Sequence, residues 1–495
     1  MKGFNLKLIV HILGLLLLFN ALFMGITTLS SYFMDDGAVY GMLKALTINV
    51  VVGGLAMGLT FNHRKEIKKR EGYLIVVCGW LVMVIFGMLP FIFTNSVSSI
   101  SDALFETMSG YTATGATIMD NIEALPKSIV LWRSLTHWMG GMGIIVLAIA
   151  ILPLLGIGGM QLFSAEAPVL GGDKLHPRIS DTAKRLWLIY VGLTLINALL
   201  LSLSGMSVFD AINHAMSTMA SGGFSTKDTS LGYWNDTPQI QYITVLFMFF
   251  AGSNFVLLYY ALKGKFRRVF VDTEFRWYAG FIGAFVLIVT ASLMKNGAYA
   301  MVDSGIWTSL EQSFRHALFQ VVAVITTTGL VTSDFTALAP FVTMLFFGLM
   351  FLGGSTGSTS GGVKVMRHLI LIKNGFLEFK RALHPNAILM VRLNKVTIEQ
   401  SIVYNVLAFF ILYMILFIIG AGVLSILGLD FTSAIGAAAA SLGNVGPGLG
   451  DVGPATTYAS LPMLGKWWCA LLMLIGRLEL FTVLILFTPY YWSKH

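Results

Sequence analysis

The chain has 495 residues, 56% of them hydrophobic and 11% charged, and a formal net charge of +8. Soluble globular domains carry charge on about 25% of their residues, so this composition excludes one. A mean hydropathy of +0.79 points instead to a polytopic membrane protein.

Runs of about 20 apolar residues cross the hydrocarbon. In chain order they predict ten spans, at 8–33, 40–61, 73–95, 128–155, 185–204, 239–262, 277–294, 340–372, 396–428 and 461–490. The first is flanked by Lys2 and Lys7 like a signal peptide, but its length and the missing small-residue cleavage site favour an uncleaved span. Cys78 and Cys469 lie inside apolar spans and read as reduced, packed thiols.

Between spans, one pattern recurs four times: an alanine twelve residues before a glycine, in an apolar segment too short to cross. The pairs are Ala103 with Gly115, Ala211 with Gly223, Ala317 with Gly329, and Ala434 with Gly446, the glycines 108, 106 and 117 residues apart. Such periodicity marks a repeat architecture. It divides the chain into two N-terminal spans (1–70) and four units at 71–160, 161–265, 266–385 and 386–495. The expected fold is an all-α polytopic membrane protein, with four membrane-pore-membrane repeats around one central pore and two extra N-terminal transmembrane helices.

Loops beside the glycine motifs carry Lys127, Lys227 and Arg315. The opposite loops carry Arg64, Lys65, Lys68, Lys69 and Arg70, then Lys174, Arg178, Lys184 and Arg185, then Lys263, Lys265, Arg267 and Arg268, and a last group from Lys364 to Lys395. The positive-inside rule therefore turns the glycine motifs outward. Topology against anionic membrane lipids, or docking of a cytosolic partner, accounts for this charge without nucleic acid.

In each unit one span enters from the cytoplasm, about a dozen residues dip back from outside, a polar strand follows, and a second span returns. Irregular backbone at membrane depth must line a wet cavity. The candidate strands comprise Thr112, Ala113, Thr114 and Gly115; Ser221, Gly222 and Gly223; Thr327, Thr328 and Gly329; and Asn444, Val445 and Gly446. None carries an acid, so a cation there is coordinated by carbonyl oxygens, which glycine turns inward through left-handed dihedrals. The carbonyl ends of the dipping helices favour the same charge. Any one glycine reads as a packing residue; four in register read as a filter.

Residues 340–372 are interrupted at Gly353–Gly362, a run of glycine, serine and threonine only. It falls ~18 Å from the outer end of its span, near mid-membrane. Gly353, Gly354, Gly357, Gly361, Gly362 and the adjoining Lys364 form a candidate gate beneath the filter, with a tight glycine-mediated helix crossing as the alternative. The other pore-side spans show no such break. Arg477, ~24 Å along the last span, is the second gate candidate. A buried guanidinium faces a cavity or a partner, so it lines the conduction path or pairs with an acid on another span. Glu479, two residues on, points to a different face.

Asp102, Glu106 and Asp210 read as helix caps or as cation attraction at the mouth, and His137 and Trp138 as packing. His214, His316, His368 and His384 lack metal-site spacing, and no catalytic or phosphate-binding motif indicates an enzyme or an organic cofactor.

The layout resembles the superfamily of potassium transporters that includes Trk, Ktr and plant HKT proteins. The residues 132–153 (WRSLTHWMGGMGIIVLAIAILP), 353–367 (GGSTGSTSGGVKVMR) and 476–481 (GRLELF) resemble Trk signature segments, nearest to bacterial TrkH and TrkG. The resemblance covers essentially the whole chain, and the two extra N-terminal spans fit the Trk branch better than Ktr. It implies that Gly115, Gly223, Gly329 and Gly446 are the filter glycines, and that K⁺ is the transported ion, since sodium-preferring relatives carry serine in the first repeat. With one shared glycine per repeat and no tyrosine, modest discrimination is expected. The resemblance further implies an intramembrane gating loop and a barrier role for Arg477. It also implies a homodimer in the bacterial inner membrane, and cytosolic TrkA-like RCK subunits that bind ATP/ADP or NAD(H). Parallel repeats disfavour an alternating-access carrier, but coupling of K⁺ to H⁺ or Na⁺ stays open.

Overall fold

The structure, a computed structural model, describes residues 4–61, 68–146, 179–297, 306–337, 339–394 and 396–493. Lys2, Arg64, Lys65, Lys174, Arg178, Lys395 and the stretch of the 128–155 span after Val146 lie outside the described residues.

The first two helices, α1 (Leu6–Met34) and α2 (Val39–Leu59), form a hairpin. Gly14 and Gly53 let their backbones touch: a Cβ on Gly14 would stand 2.9 Å from Gly53 O, and one on Gly53 3.0 Å from Gly14 O. Without a hydrophobic drive between helices in lipid, small residues and interhelical hydrogen bonds hold such pairs. Asn20 supplies one, donating to Asn49 Oδ1 at 3.1 Å. The hairpin packs on α3 (Lys69–Gly87), which α4 (Leu89–Phe93) follows.

The four dipping segments are helices: α5 (Ile100–Tyr111), α8 (Val208–Met219), α13 (Ile306–Ile325) and α17 (Phe431–Gly443). Three have the expected length of about a dozen residues; α13 has 20 and starts well before the repeated motif. Ser99 and Ser207 cap the first two, each accepting from the amide of the aspartate three residues on, Asp102 or Asp210, at 3.1 Å. The entering and returning spans include α6 (Lys127–Val146), α7 (Ile179–Leu203), α12 (Thr273–Lys295) and α16 (Gln400–Ile426).

Six described helices are long and apolar enough to cross a membrane, and two bent pairs raise the number to eight. Those pairs correct the expectation that only the third repeat is interrupted. In repeat two, α9 (Pro238–Ala251) meets α10 (Phe255–Leu262) at 109°, and α11 (Phe266–Val271) follows. In repeat four, α18 (Met463–Arg477) meets residues Phe481–Phe487, which begin with α19 (Phe481–Leu484), also at 109°, and α20 (Pro489–Trp492) closes the chain. The bend after α18 holds two consecutive non-glycine residues at positive φ, Glu479 (56°) and Leu480 (46°). In repeat three, α14 (Pro340–Leu349) and α15 (Val365–Leu383) flank the glycine-rich stretch. A two-residue hairpin pairing Arg392–Leu393 with Val396–Thr397 is the one β element among the described residues.

Candidate functional site

Each dipping helix ends the same way. The residue after its last turn adopts the left-handed conformation: Ala113 (φ 49°), Ser221 (55°), Thr327 (53°) and Asn444 (53°). The next amide bonds back across that turn, Thr114 N to Ser109 O, Gly222 N to Ser217 O, Thr328 N to Ala323 O and Val445 N to Ala440 O, at 2.8–2.9 Å. This is the Schellman closure that glycine normally completes. Here four non-glycine residues complete it, a strain of ~1 kcal/mol or more apiece. The ring glycines follow two residues later at φ 86°, 85°, 68° and 97° for Gly115, Gly223, Gly329 and Gly446. Reasoning from glycine alone found the second left-handed position and missed the first, which has no residue signature.

The four turns meet around one axis. A Cβ on Gly115 would stand 2.1 Å from Gly222 O, on Gly223 2.3 Å from Thr328 O, on Gly329 2.1 Å from Val445 O, and on Gly446 2.7 Å from Thr114 O. Each oxygen belongs to the residue before the next repeat's glycine, so the contacts run from repeat one through four and back to one. Of the candidate residues, Gly115, Gly223, Gly329 and Gly446 with Thr114, Gly222, Thr328 and Val445 make the contacts of this ring, Ala113, Ser221, Thr327 and Asn444 form the left-handed turns that lead into it, and Thr112 caps α5. Paired threonines brace repeats one and three, Thr112 with Thr114 and Thr326 with Thr328, hydroxyl to hydroxyl at 2.7 Å. Asn444 donates to Thr114 Oγ1 (2.9 Å), and the Tyr458 hydroxyl to Gly446 O (2.9 Å).

Above the ring lies a cavity of about 840 Å³, lined by all four glycines and by Asp120, Asp228 and Asp451. Lys227 lies on its wall, 2.9 Å from Glu123. The hydrogen bond to Glu123 raises the Lys227 pKa against partial desolvation, so this lysine is a fixed cation.

Below the ring lies the glycine-rich loop. Gly361 N donates to Thr327 Oγ1 (2.6 Å), and Thr359 Oγ1 shares a hydrogen bond with Ser221 Oγ (3.0 Å). A Cβ on Gly361 would stand 2.7 Å from Asn444 Cβ. The loop thus touches three of the four left-handed residues. Ser355 N and Thr359 N donate to Gly252 O (2.8 Å) and Ala251 O (3.3 Å), tying it to the bend of repeat two. Gly353 N closes the loop on Val363 O (2.9 Å), Gly354 N bonds Ser360 Oγ (3.1 Å), and Lys364 Nζ bonds Ser360 O (2.5 Å). Gly362 packs on Gly353, whereas Gly357 is exposed at the far tip and accepts from Phe255 N (3.2 Å).

Arg477, the last residue of α18, is 3% exposed. It donates from Nη1 to Thr359 O (2.8 Å) and from Nη2 to Gly140 O (3.1 Å), so it meets the loop candidates directly. Glu479 does face elsewhere, pairing with Arg367.

One other expectation changes. Glu106 is no cap: it sits mid-helix, fully buried, 2.8 Å from Arg133 Nε. His137 does pack, its ring stacked on Phe224 at 3.9 Å behind the second strand. Asp102 does close a capping pair with Ser99, and its other oxygen accepts from Lys466 Nζ at 2.6 Å. Among the described residues no group of three or more His, Cys, Asp or Glu is placed to hold a metal ion.

A closed ring of re-entrant turns between a cavity and a glycine-rich loop, on a scaffold of apolar helices, defines an all-α polytopic membrane protein built on four repeats. The chain belongs to the TrkH family of cation transport proteins, whose profile matches residues 41–494. It is 42% identical over 493 residues to the Trk system potassium uptake protein TrkH of Salmonella typhimurium, covering 99% of this chain and 100% of that one. It is 32% identical to TrkG of Escherichia coli, over the full length of both. The crystal structure of the potassium transporter TrkH from Vibrio parahaemolyticus superposes with a TM-score of 0.89 at 38% identity, covering 99% of this chain and 100% of that one. The chain is accordingly a transporter rather than an enzyme, and a multi-pass protein of the bacterial inner membrane.

Proposed function

We propose that the chain takes up K⁺ across the inner membrane, down its electrochemical gradient, through the central ring as a selectivity filter. The observation that carries this is the closed cycle of glycine-to-carbonyl contacts. On this reading one carbonyl per repeat, turned to the axis, gives a dehydrated alkali ion four substitutes for its lost water. The full-length relatives named as potassium uptake proteins support the choice of ion. The loop from Gly353 to Gly362, Lys364 and Arg477 form the gate on this reading, since both cations lie just inside the ring and the loop is bonded to it. Control by a TrkA-like RCK subunit at the basic cytosolic face, with ATP/ADP or NAD(H) bound there, and a homodimeric assembly belong to the same proposal.

The test is ⁸⁶Rb⁺ uptake by proteoliposomes loaded with K⁺, with and without cytosolic extract. Uptake driven by the gradient, and suppressed by external K⁺ well before Na⁺, is expected. No gradient-driven uptake under either condition contradicts the proposal. A current reversing away from the K⁺ equilibrium potential would favour coupling to H⁺ or Na⁺.

A further inference from the structure

At the junction between repeats one and two a buried arginine bonds both strands just beyond their ring glycines. Arg133, on α6, is 1% exposed and its partner Glu106 is fully buried. The guanidinium is used in three directions: Nε to Glu106 Oε1 (2.8 Å), Nη1 to Ser225 O (3.2 Å) and Nη2 to Thr117 Oγ1 (3.1 Å). Thr117 and Ser225 are equivalent positions, each two residues beyond a ring glycine. Glu106 completes the frame, accepting from Ile118 N (3.0 Å) and Thr117 Oγ1 (3.0 Å). One turn further along α6, His137 reaches the same strand from behind. Phe224 N donates to its Nδ1 (3.4 Å), and the Phe224 ring stacks on it while lying 4.2 Å beneath the Arg133 guanidinium. A Cβ on Gly222, whose carbonyl abuts Gly115, would meet His137 Nδ1 at 2.3 Å.

Cations bridge other junctions too: Arg315 donates to Gln241 Oε1 (2.6 Å) and Asn235 O (3.3 Å) between repeats three and two, and Lys466 Nζ to Asp102 Oδ1 (2.6 Å) between four and one. Those groups stand twelve or more positions from any ring glycine in sequence, whereas Arg133 bonds residues two positions beyond two of them. A buried ion pair is a poor source of net stability, because desolvation offsets its attraction. What it supplies is geometry: a planar fork holds three acceptors at fixed angles, which no apolar residue and no lysine reproduces.

We propose that Arg133, held by Glu106 and seated on Phe224 against His137, is a positioning residue that fixes the spacing of the first two filter strands and thereby sets ion selectivity. This rests on the reading of the ring as a filter. Positioning residues without direct ligand contact commonly shift a coupled equilibrium by a fewfold to tenfold.

The experiment measures K⁺ and Na⁺ uptake in bacterial cells lacking other K⁺ uptake systems, expressing the full chain, with membrane abundance determined in parallel. Arg133→Lys keeps the charge but not the fork, and Phe224→Leu keeps the ion pair but removes the stacked ring. Each is expected to lower the K⁺/Na⁺ uptake ratio by about threefold or more, with a raised KM for K⁺ and near-parental abundance. Parental ratios in both overturn the proposal, as does a parental ratio in Arg133→Lys beside a lowered one in Arg133→Gln, which would assign the residue a charge role only. Should Arg133→Lys fail to reach the membrane, the ratio in Phe224→Leu decides. Gly115→Ser serves as the control. If it shifts the ratio and the other variants do not, this inference alone fails; if it too leaves the ratio unchanged, the filter reading fails.

Discussion

Arg477 shows what a single residue discloses in sequence and what it withholds. A permanent charge inside an apolar run stands out because hydrocarbon makes it costly, so its importance was legible. Its partners were not: the Thr359 and Gly140 carbonyls come from chain segments 118 and 337 positions away. Glu106 was misread for a related reason. An acid near a helix start is ordinarily read as a dipole partner, and nothing local announces that Arg133, 27 residues on, will meet it. If the proposed gate holds, replacing Arg477 with alanine removes a cation beside the ion path and frees the Thr359 carbonyl. Two unit charges about 16 Å apart repel by about 1 kcal/mol at an effective dielectric of ~20. Basal Rb⁺ flux without any partner is expected to rise about fivefold, measured in proteoliposomes; flux equal to the parent places the barrier elsewhere.

The elements divide by the signal that announces them. Hydropathy finds spans because length and apolarity are what the bilayer selects, and the expected spans reappear as helices where described. Hydropathy does not register a bend. The 109° breaks at Gly252–Asn254 and Leu478–Leu480 keep apolar flanks and carry little unusual composition, whereas the interruption of repeat three is ten residues of glycine, serine and threonine. All three breaks adjoin the ring's inner side. Thr359 ties the loop in place: its one hydroxyl proton has Met219 O (2.9 Å) and Ala251 O (3.2 Å) within reach, and its oxygen lies 3.0 Å from Ser221 Oγ. Thr359→Ala removes these bonds, each worth about 1 kcal/mol net. Basal flux in the same assay is expected to rise several-fold, and shortening the loop within Gly353–Gly362 is expected to raise it further. Unchanged flux in both variants contradicts a gating role for the loop.

At the scale of the molecule, the fourfold repeat was legible from four alanine-to-glycine intervals, and the structure closes them into one ring. The asymmetry was not legible. Repeats one and three carry threonine pairs, repeat one alone carries the buried Glu106–Arg133 pair, and the N-terminal hairpin reaches the ring's base through Asn20 Oδ1, which accepts from Tyr111 at 2.6 Å. Such differences arise from residues distant in sequence, where periodicity carries no information. The central claim is that four carbonyl turns share one ion path. Gly115 tests it most directly, because at its φ of 86°, with any added Cβ only 2.1 Å from Gly222 O, no side chain is admitted without displacing the neighbouring strand. The decisive measurement is the Na⁺/K⁺ permeability ratio of Gly115→Ser against the parent in liposome flux. The ratio is expected to rise by about tenfold; a ratio identical to the parent's, in a folded and conducting variant, would contradict the account.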